Sequence, residues 1–338
     1  VTTVDGLSVD ERVQGFLAER FSSACDLRLV ALGGDASTRR YFRLVHAGES
    51  SVLALYPEPF ESAALPFLRV QALMASFGLP VPSVRDHDLR RGVVLLEDLG
   101  DRCLQQVLAE ASDHDRRELY RQALQQLARL QREAARGPAA SRPPCYELAF
   151  DEEKLTAELD FFQRHFLEAE RRRALSSGDR AALAEAFARL SREIASWPRV
   201  LCHRDYHSRN LMVQDGRLRW LDFQDARMGP ATYDAASLLR DPYVELGAEF
   251  AADLAEEFRS AAVPGEDRET FERRFDLVTA QRLLKAIGTF GYMATARGNG
   301  DYLAYVPRAL ANVRRLLGRR RELLELRRAL APHVEELS

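Results

Sequence analysis

Residues Leu201 to Asp225 read LCHRDYHSRNLMVQDGRLRWLDFQD, and the reading of the whole chain turns on them. Asp215-Gly216 is a strong two-residue hairpin turn between Leu211-Met212-Val213 and Leu218-Arg219-Trp220-Leu221. In that register Gln214 opposes Arg217, Leu211 opposes Trp220 and Asn210 opposes Leu221, which sets Asp222 beside Asn210 at the open end. Cross-strand neighbours lie about 5 Å apart, so an amide oxygen and a carboxylate converge on one point. Oxygen ligands of that kind suit Mg²⁺, which keeps waters and takes its remaining ligands from phosphates. Asp205, five positions before Asn210, lies on the loop leading into the hairpin, in position to face a substrate hydroxyl.

Upstream of this island the chain reads as a small, mostly antiparallel sheet with one helix inserted. Ser8-Val9-Asp10-Glu11 resembles a capping box, followed by Val13, Phe16, Leu17 and Phe21 at helical spacing. Strands are expected at Leu27–Val30, Tyr41–Val45, Ser51–Leu55 and Gly92–Leu96, with a helix over about 63–77 closed by Gly78 and Pro80. Past Gly100 the periodicity is helical, over about 115–135, 152–170, 180–195, 248–262 and 269–297, interrupted by the beta island at 200–222. The fold class is therefore α+β. Two domains are expected: residues 1–100, a β-rich lobe, and residues 101–338, a helical lobe with the embedded hairpin, with the cleft between them as the default ligand site.

Composition narrows the function. The 338 residues are 46% hydrophobic and 29% charged, which is globular rather than disordered. A net charge of −3 argues against a dedicated nucleic-acid or anionic-membrane binder. No apolar run approaches the ~20 residues of a membrane span, and the N-terminus lacks the order of a signal peptide. Cys25, Cys103, Cys145 and Cys202 are scattered, without metal or disulfide spacing, as expected of reduced thiols in a cytoplasmic protein. No protein partner is evident. Of the 48 basic residues 46 are arginine; Lys154 and Lys285 are the only lysines, so nothing before residue 154 supplies an ammonium.

His203-Arg204-Asp205-Tyr206-His207-Ser208-Arg209-Asn210 is similar to the catalytic loop of kinases, H-x-D-x-x-x-x-N, and Asp222-Phe223 resembles the start of their metal-binding D-F-G. With Tyr206-His207, Asp222-Phe223-Gln224 and the downstream Gly229-Pro230-Ala231-Thr232-Tyr233-Asp234, the chain resembles the aminoglycoside phosphotransferase superfamily rather than protein kinases. Within it, DASTRRYFRL, LLEDLG, HRDYHSRNLMV and LDFQDARMGPATYDAASLLRD are close to the bacterial kinases that phosphorylate N-acetylmuramate and N-acetylglucosamine at C1. The motifs span about Ser8 to Arg240.

The resemblance implies a bilobal, protein-kinase-like fold and an ATP-dependent, Mg²⁺-requiring kinase of a small sugar. Asp205 would be the catalytic aspartate, and Asn210 and Asp222 would bind Mg²⁺. The segment Glu97 to Leu99 would be the hinge that meets adenine, and Gly33 to Thr38, with Gly34, Ser37 and Thr38, the loop covering the phosphates. His203 and Asp234 would brace the catalytic loop. The lysine that kinases carry on the third strand would fall near Tyr56, and this lobe has none; Arg39, Arg40 or Arg43 would replace it, with Arg40 preferred. A lactyl carboxylate on the acceptor would want a cation, for which Arg209, Arg240 and Arg297 are candidates; Asp225 either caps the next segment or touches substrate. Two alternatives stand beside this reading: a kinase of an aminoglycoside or amino alcohol, and a non-catalytic nucleotide-binding protein. The alternation of His203, Asp205 and His207 is too isolated from the other histidines for a zinc or dinuclear hydrolase.

Overall fold

Asp10, rather than the expected Ser8, opens the first helix, α1 (Glu11–Arg20), its carboxylate accepting from the Arg12 amide at 2.9 Å. The structure, a computed structural model, describes residues 10–21, 27–33, 39–60, 65–137 and 143–338. Ser8, Cys25 and the stretch from Gly34 to Thr38 lie outside them. The chain forms two compact units, one comprising the chain to Arg102 together with Met212–Gln224, the other Cys103–Leu211 together with Asp225–Ser338. The stretch 212–224, expected with the helical lobe, thus groups with the N-terminal one.

In the first unit the strands are β1 (Arg28–Leu32), β2 (Arg40–His46), β3 (Glu49–Leu55), β4 (Val84–Asp88) and β5 (Val93–Glu97), with helix α2 (Pro66–Ser76) between β3 and β4. They form one sheet in the order β1-β2-β3-β5-β4, every neighbouring pair antiparallel. Period-two alternation sends Phe42, Leu44, Leu53 and Leu55 to one face, where they pack with Val13, Phe16 and Leu17 of α1. Burying each such side chain contributes roughly 1.5–3 kcal/mol, enough to hold a ten-residue helix that would not persist alone. The strand β4 was not anticipated: its sequence, VRDHD, is polar because it forms an edge with alternate residues in solvent.

The second unit is helical. Helices α3 (Leu104–Glu110), α4 (Asp113–Ala135), α5 (Glu152–Phe162) and α6 (Ser177–Ala195) precede the island, and α5 runs on into a π-helical segment, Gln163–Glu170. Strand β6 (Arg199–Cys202) pairs antiparallel with β9 (Arg227–Pro230), and the hairpin β7 (Leu211–Gln214) and β8 (Arg217–Trp220) lies between them in sequence. The turn residues Asp215 and Gly216 both have positive φ, 49° and 72°, as a tight two-residue loop requires. Then follow α7 (Tyr233–Leu239), α8 (Ala248–Ala262) and α9 (Arg268–Arg297). Helix α9 is buried almost all round between Phe275 and Met293, the mark of a central helix. Among the described residues no helix is long and apolar enough to cross a membrane.

Candidate active site

The loop between β6 and β7 is anchored at both ends by buried carboxylates. Asp234, in the first turn of α7, accepts from the backbone amides of His203 (2.6 Å) and Arg204 (2.9 Å). Burial pushes its pKa up to about 6, although both amides and Arg282 pull the other way. Asp241 accepts from the amides of Ser208 and Tyr243, each at 2.8 Å. Between these anchors the Tyr206 hydroxyl donates to the Ala123 carbonyl (2.8 Å), and the His203 ring packs edge-on against Tyr206. Arg204 has φ 85°, a backbone conformation that costs a non-glycine residue free energy and that the anchors hold in place. Asn210 turns its amide nitrogen toward the Asp205 carbonyl (2.9 Å), which directs the amide oxygen the other way.

Asp205 itself is four-fifths buried and surrounded by cations. Its Oδ1 accepts from Lys285 Nζ at 2.7 Å, and Oδ2 lies 3.7 Å from Arg204 Nε. Burial alone would raise its pKa, but Lys285, Arg204 and Arg282 outweigh it and hold the carboxyl well below the usual range. His207, two residues on, is pushed down to about 3 by burial and is a neutral imidazole at physiological pH. Beside Asp205 a cavity of about 100 Å³ opens within the second unit, lined among others by His207, Tyr243, Arg282, Lys285, Thr289 and Phe290. Asp205 is the only carboxylate among its lining residues.

Of the acceptor candidates only Arg240 lines this cavity, and its guanidinium lies over Phe275 (6.0 Å) in the field of Asp276, Arg315 and Arg319. Arg209 is held by Gln105 and the Tyr305 hydroxyl, each at 2.8 Å, and stacks on Tyr243, a lining residue, without lining the cavity itself. Arg297 is exposed near the end of α9, over Tyr292. Asp225 pairs with Arg204 at 3.1 Å. Sequence reasoning missed Arg282 and Lys285; the one available signal was the rarity of lysine in an arginine-rich chain.

In the first unit, Asp222 follows β8 with φ 59° and its side chain is 45% exposed. One carboxylate oxygen accepts from Gln224 Nε2 (2.6 Å) and lies 3.8 Å from Arg39. Arg39 also donates to the Tyr56 hydroxyl (3.4 Å) and lies over the Tyr41 and Tyr56 rings. Arg40, the preferred candidate, is exposed over Phe42, on the opposite side of the pleat. Arg43 is held by Asp98 and Asp101. Glu97 is engaged by Arg219 (2.7 Å) and Ser83, and these partners outweigh burial to lower its pKa. Leu99 is buried. Gly34, Ser37 and Thr38 lie outside the described residues.

Residues 28–271 match the sequence profile of the phosphotransferase enzyme family. The chain belongs to that family. Proteins named N-acetylmuramate/N-acetylglucosamine kinase are similar over nearly its whole length: one from Pseudomonas putida is 34% identical over 90% of this chain and 87% of its own, and one from Neisseria meningitidis 34% identical over 89% of each. Among solved structures, an ADP-bound aminoglycoside phosphotransferase superposes with TM-score 0.59 at 13% identity, covering 90% of this chain and 98% of that one. A choline/ethanolamine kinase family protein from Mesorhizobium loti gives TM-score 0.59 at 19% identity, over 95% and 97%. The fold is kinase-like, and this phosphotransferase carries its motif residues on it with an arginine, Arg39, near the position where the third-strand lysine was expected.

Proposed function

We propose that the protein transfers the γ-phosphoryl group of ATP to the C1 hydroxyl of N-acetylmuramate or N-acetylglucosamine. The observation that carries the reading is the charge of the cavity beside Asp205: one carboxylate, accompanied by Arg282 and Lys285. An ammonium-bearing acceptor, an aminoglycoside or amino alcohol, calls for carboxylates there, and the cavity offers none beyond Asp205 itself. The names carried by relatives at 34% identity support the same choice.

In this reading Asp205 orients the acceptor hydroxyl and takes its proton as the oxygen attacks the γ-phosphorus and the bond to the β-phosphate oxygen breaks, leaving ADP with the electron pair. A hemiacetal hydroxyl is more acidic than an ordinary alcohol, which suits a carboxylate whose cationic neighbours make it a weak base. Asn210 and Asp222 would hold Mg²⁺; an outward amide oxygen and a half-exposed carboxylate are hard donors of the right kind. Among the described residues no three His, Cys, Asp or Glu side chains form a metal cage, so the cation would draw further ligands from phosphate and water. Bound there, it would neutralise charge on the β- and γ-phosphates. Glu97 to Leu99 would meet adenine through backbone groups, the Glu97 side chain being taken by Arg219. Arg39 would reach the phosphates, and Gly34, Ser37 and Thr38 would cover them. His203 and Asp234 would keep the loop in shape.

The test is incubation with ATP, Mg²⁺ and a panel of sugars and amino compounds, the product read by ³¹P and ¹H NMR. A phosphorus coupled to the anomeric proton of an N-acetyl sugar is the expected result. Turnover of amino compounds alone, or nucleotide binding that Asp205→Asn leaves unchanged with no turnover of any acceptor, would sink the proposal.

A further inference from the structure

Lys285 projects from α9, eighty residues beyond Asp205 in sequence, and donates to only one oxygen of the carboxylate, Oδ1, at 2.7 Å. Among the described residues the other oxygen, Oδ2, accepts no hydrogen bond; Arg204 Nε is 3.7 Å from it, and the Arg204 guanidinium pairs with Asp225 instead. Arg282 donates to the Arg204 carbonyl at 2.7 Å and stacks on Tyr233, so it steadies the loop without taking Oδ2. Lys285 and Asp205 both line the acceptor-side cavity.

The choice of residue is informative. This chain uses arginine at 46 of its 48 basic positions. A guanidinium meeting a carboxylate forms two parallel hydrogen bonds, one to each oxygen, whereas an ammonium is a point donor. Arginine at 285 would occupy both oxygens of Asp205; lysine occupies one. The other lysine, Lys154, lies on α5 beside buried Glu158 (3.3 Å), which accepts from Gln281 Nε2 of the same α9 at 3.0 Å, so α9 is tied on the side from which Lys285 extends.

We infer that Lys285 is a positioning residue for the phosphoryl transfer: by holding Asp205 Oδ1 it fixes the carboxylate's rotation and leaves Oδ2 as the oxygen that receives the acceptor proton. The proton released by the acceptor hydroxyl ends on Oδ2. The inference rests on the function proposed above.

A double-mutant cycle tests it, with steady-state kinetics on ATP and N-acetylglucosamine for Lys285→Met, Lys285→Arg, Asp205→Asn and Lys285→Met/Asp205→Asn, each checked for cooperative unfolding. Lys285→Met is expected to lower kcat at least 100-fold with the KM for ATP within twofold. In the Asp205→Asn background the same change is expected to cost less than threefold, because there is no longer a base to orient. Lys285→Arg, which keeps the charge but offers a fork, is expected to lose at least tenfold in kcat. Losses that multiply in the double variant, a Lys285→Met kcat within threefold of wild type, or full activity of Lys285→Arg would each overturn the inference. If Asp205→Asn turns over within tenfold of wild type, the function proposed above fails; if only Lys285→Met is silent, this inference alone fails.

Discussion

At the scale of single residues, the first unit offers a choice between adjacent arginines that the pleat decides. Arg40 pairs with Leu55 in the β2–β3 register, which sets Arg39 opposite Tyr56, the place where a third-strand lysine was sought. Neighbours along a strand face opposite ways, so one arginine reaches Asp222 and the other lies exposed on Phe42. Arg39→Met is expected to raise the KM for ATP ten- to hundredfold, the equivalent of a charge-assisted hydrogen bond of about 1.5–3 kcal/mol. Arg40→Met is expected to leave it within threefold, and equal effects from the two substitutions would refute the assignment. The alternation that separates them was visible in the sequence, but not which phase faces Asp222. Asp205, Asn210 and Asp222 were legible because they lie within eighteen residues of one another in a contiguous motif. Lys285 was not, since its place beside Asp205 depends on how a distant helix packs.

At the scale of elements, α9 is the part on which that placement depends. A Cβ at Gly288 would come within 2.7 Å of Phe162 Cα, and one at Gly291 within 2.5 Å of the His165 carbonyl oxygen, so α9 lies almost backbone to backbone on α5 and the π-helical segment. Neither backbone atom can retreat as a side chain would. Gly288→Ala should therefore push α9 away from α5 less than one turn beyond Lys285, costing about 1–3 kcal/mol of stability by urea unfolding and lowering kcat with it. Gly318 near the end of α10 (Val306–Arg319) is the contrast, with nothing within 4 Å of its missing Cβ. There alanine should stabilise by up to about 1 kcal/mol through helix propensity alone. The long amphipathic and buried helices announced themselves by period, and α8 occupies the residues expected of it. The polar edge strand β4 and the four-residue β9 did not, since neither carries enough apolar residues to show a period.

For the whole molecule, the readable property is how stability answers to pH. Most acidic groups with shifted pKa values are at least partly exposed carboxylates beside arginines, lowered by their partners and screened by water. Asp234 differs, because it is fully buried and its pKa is pushed up to about 6. A carboxyl with a native pKa above its unfolded value of about 3.8 binds its proton more tightly when folded, so it adds stability as the pH falls. That contribution is complete below the unfolded value and is lost as the pH rises through about 6. Asp234→Asn cannot titrate and lacks it. The stability of the wild-type protein relative to Asp234→Asn should therefore grow by about 2 kcal/mol between pH 7 and pH 4.5, measured by urea unfolding of both proteins at each pH. A constant difference would mean that the two backbone amides keep the carboxylate charged in spite of burial, and a difference that shrinks would reverse the sign of the shift. Motif position alone marked Asp234 as a brace for the catalytic loop. Its titration depends on the burial that α7 and β6 create around it, which no local stretch of sequence contains.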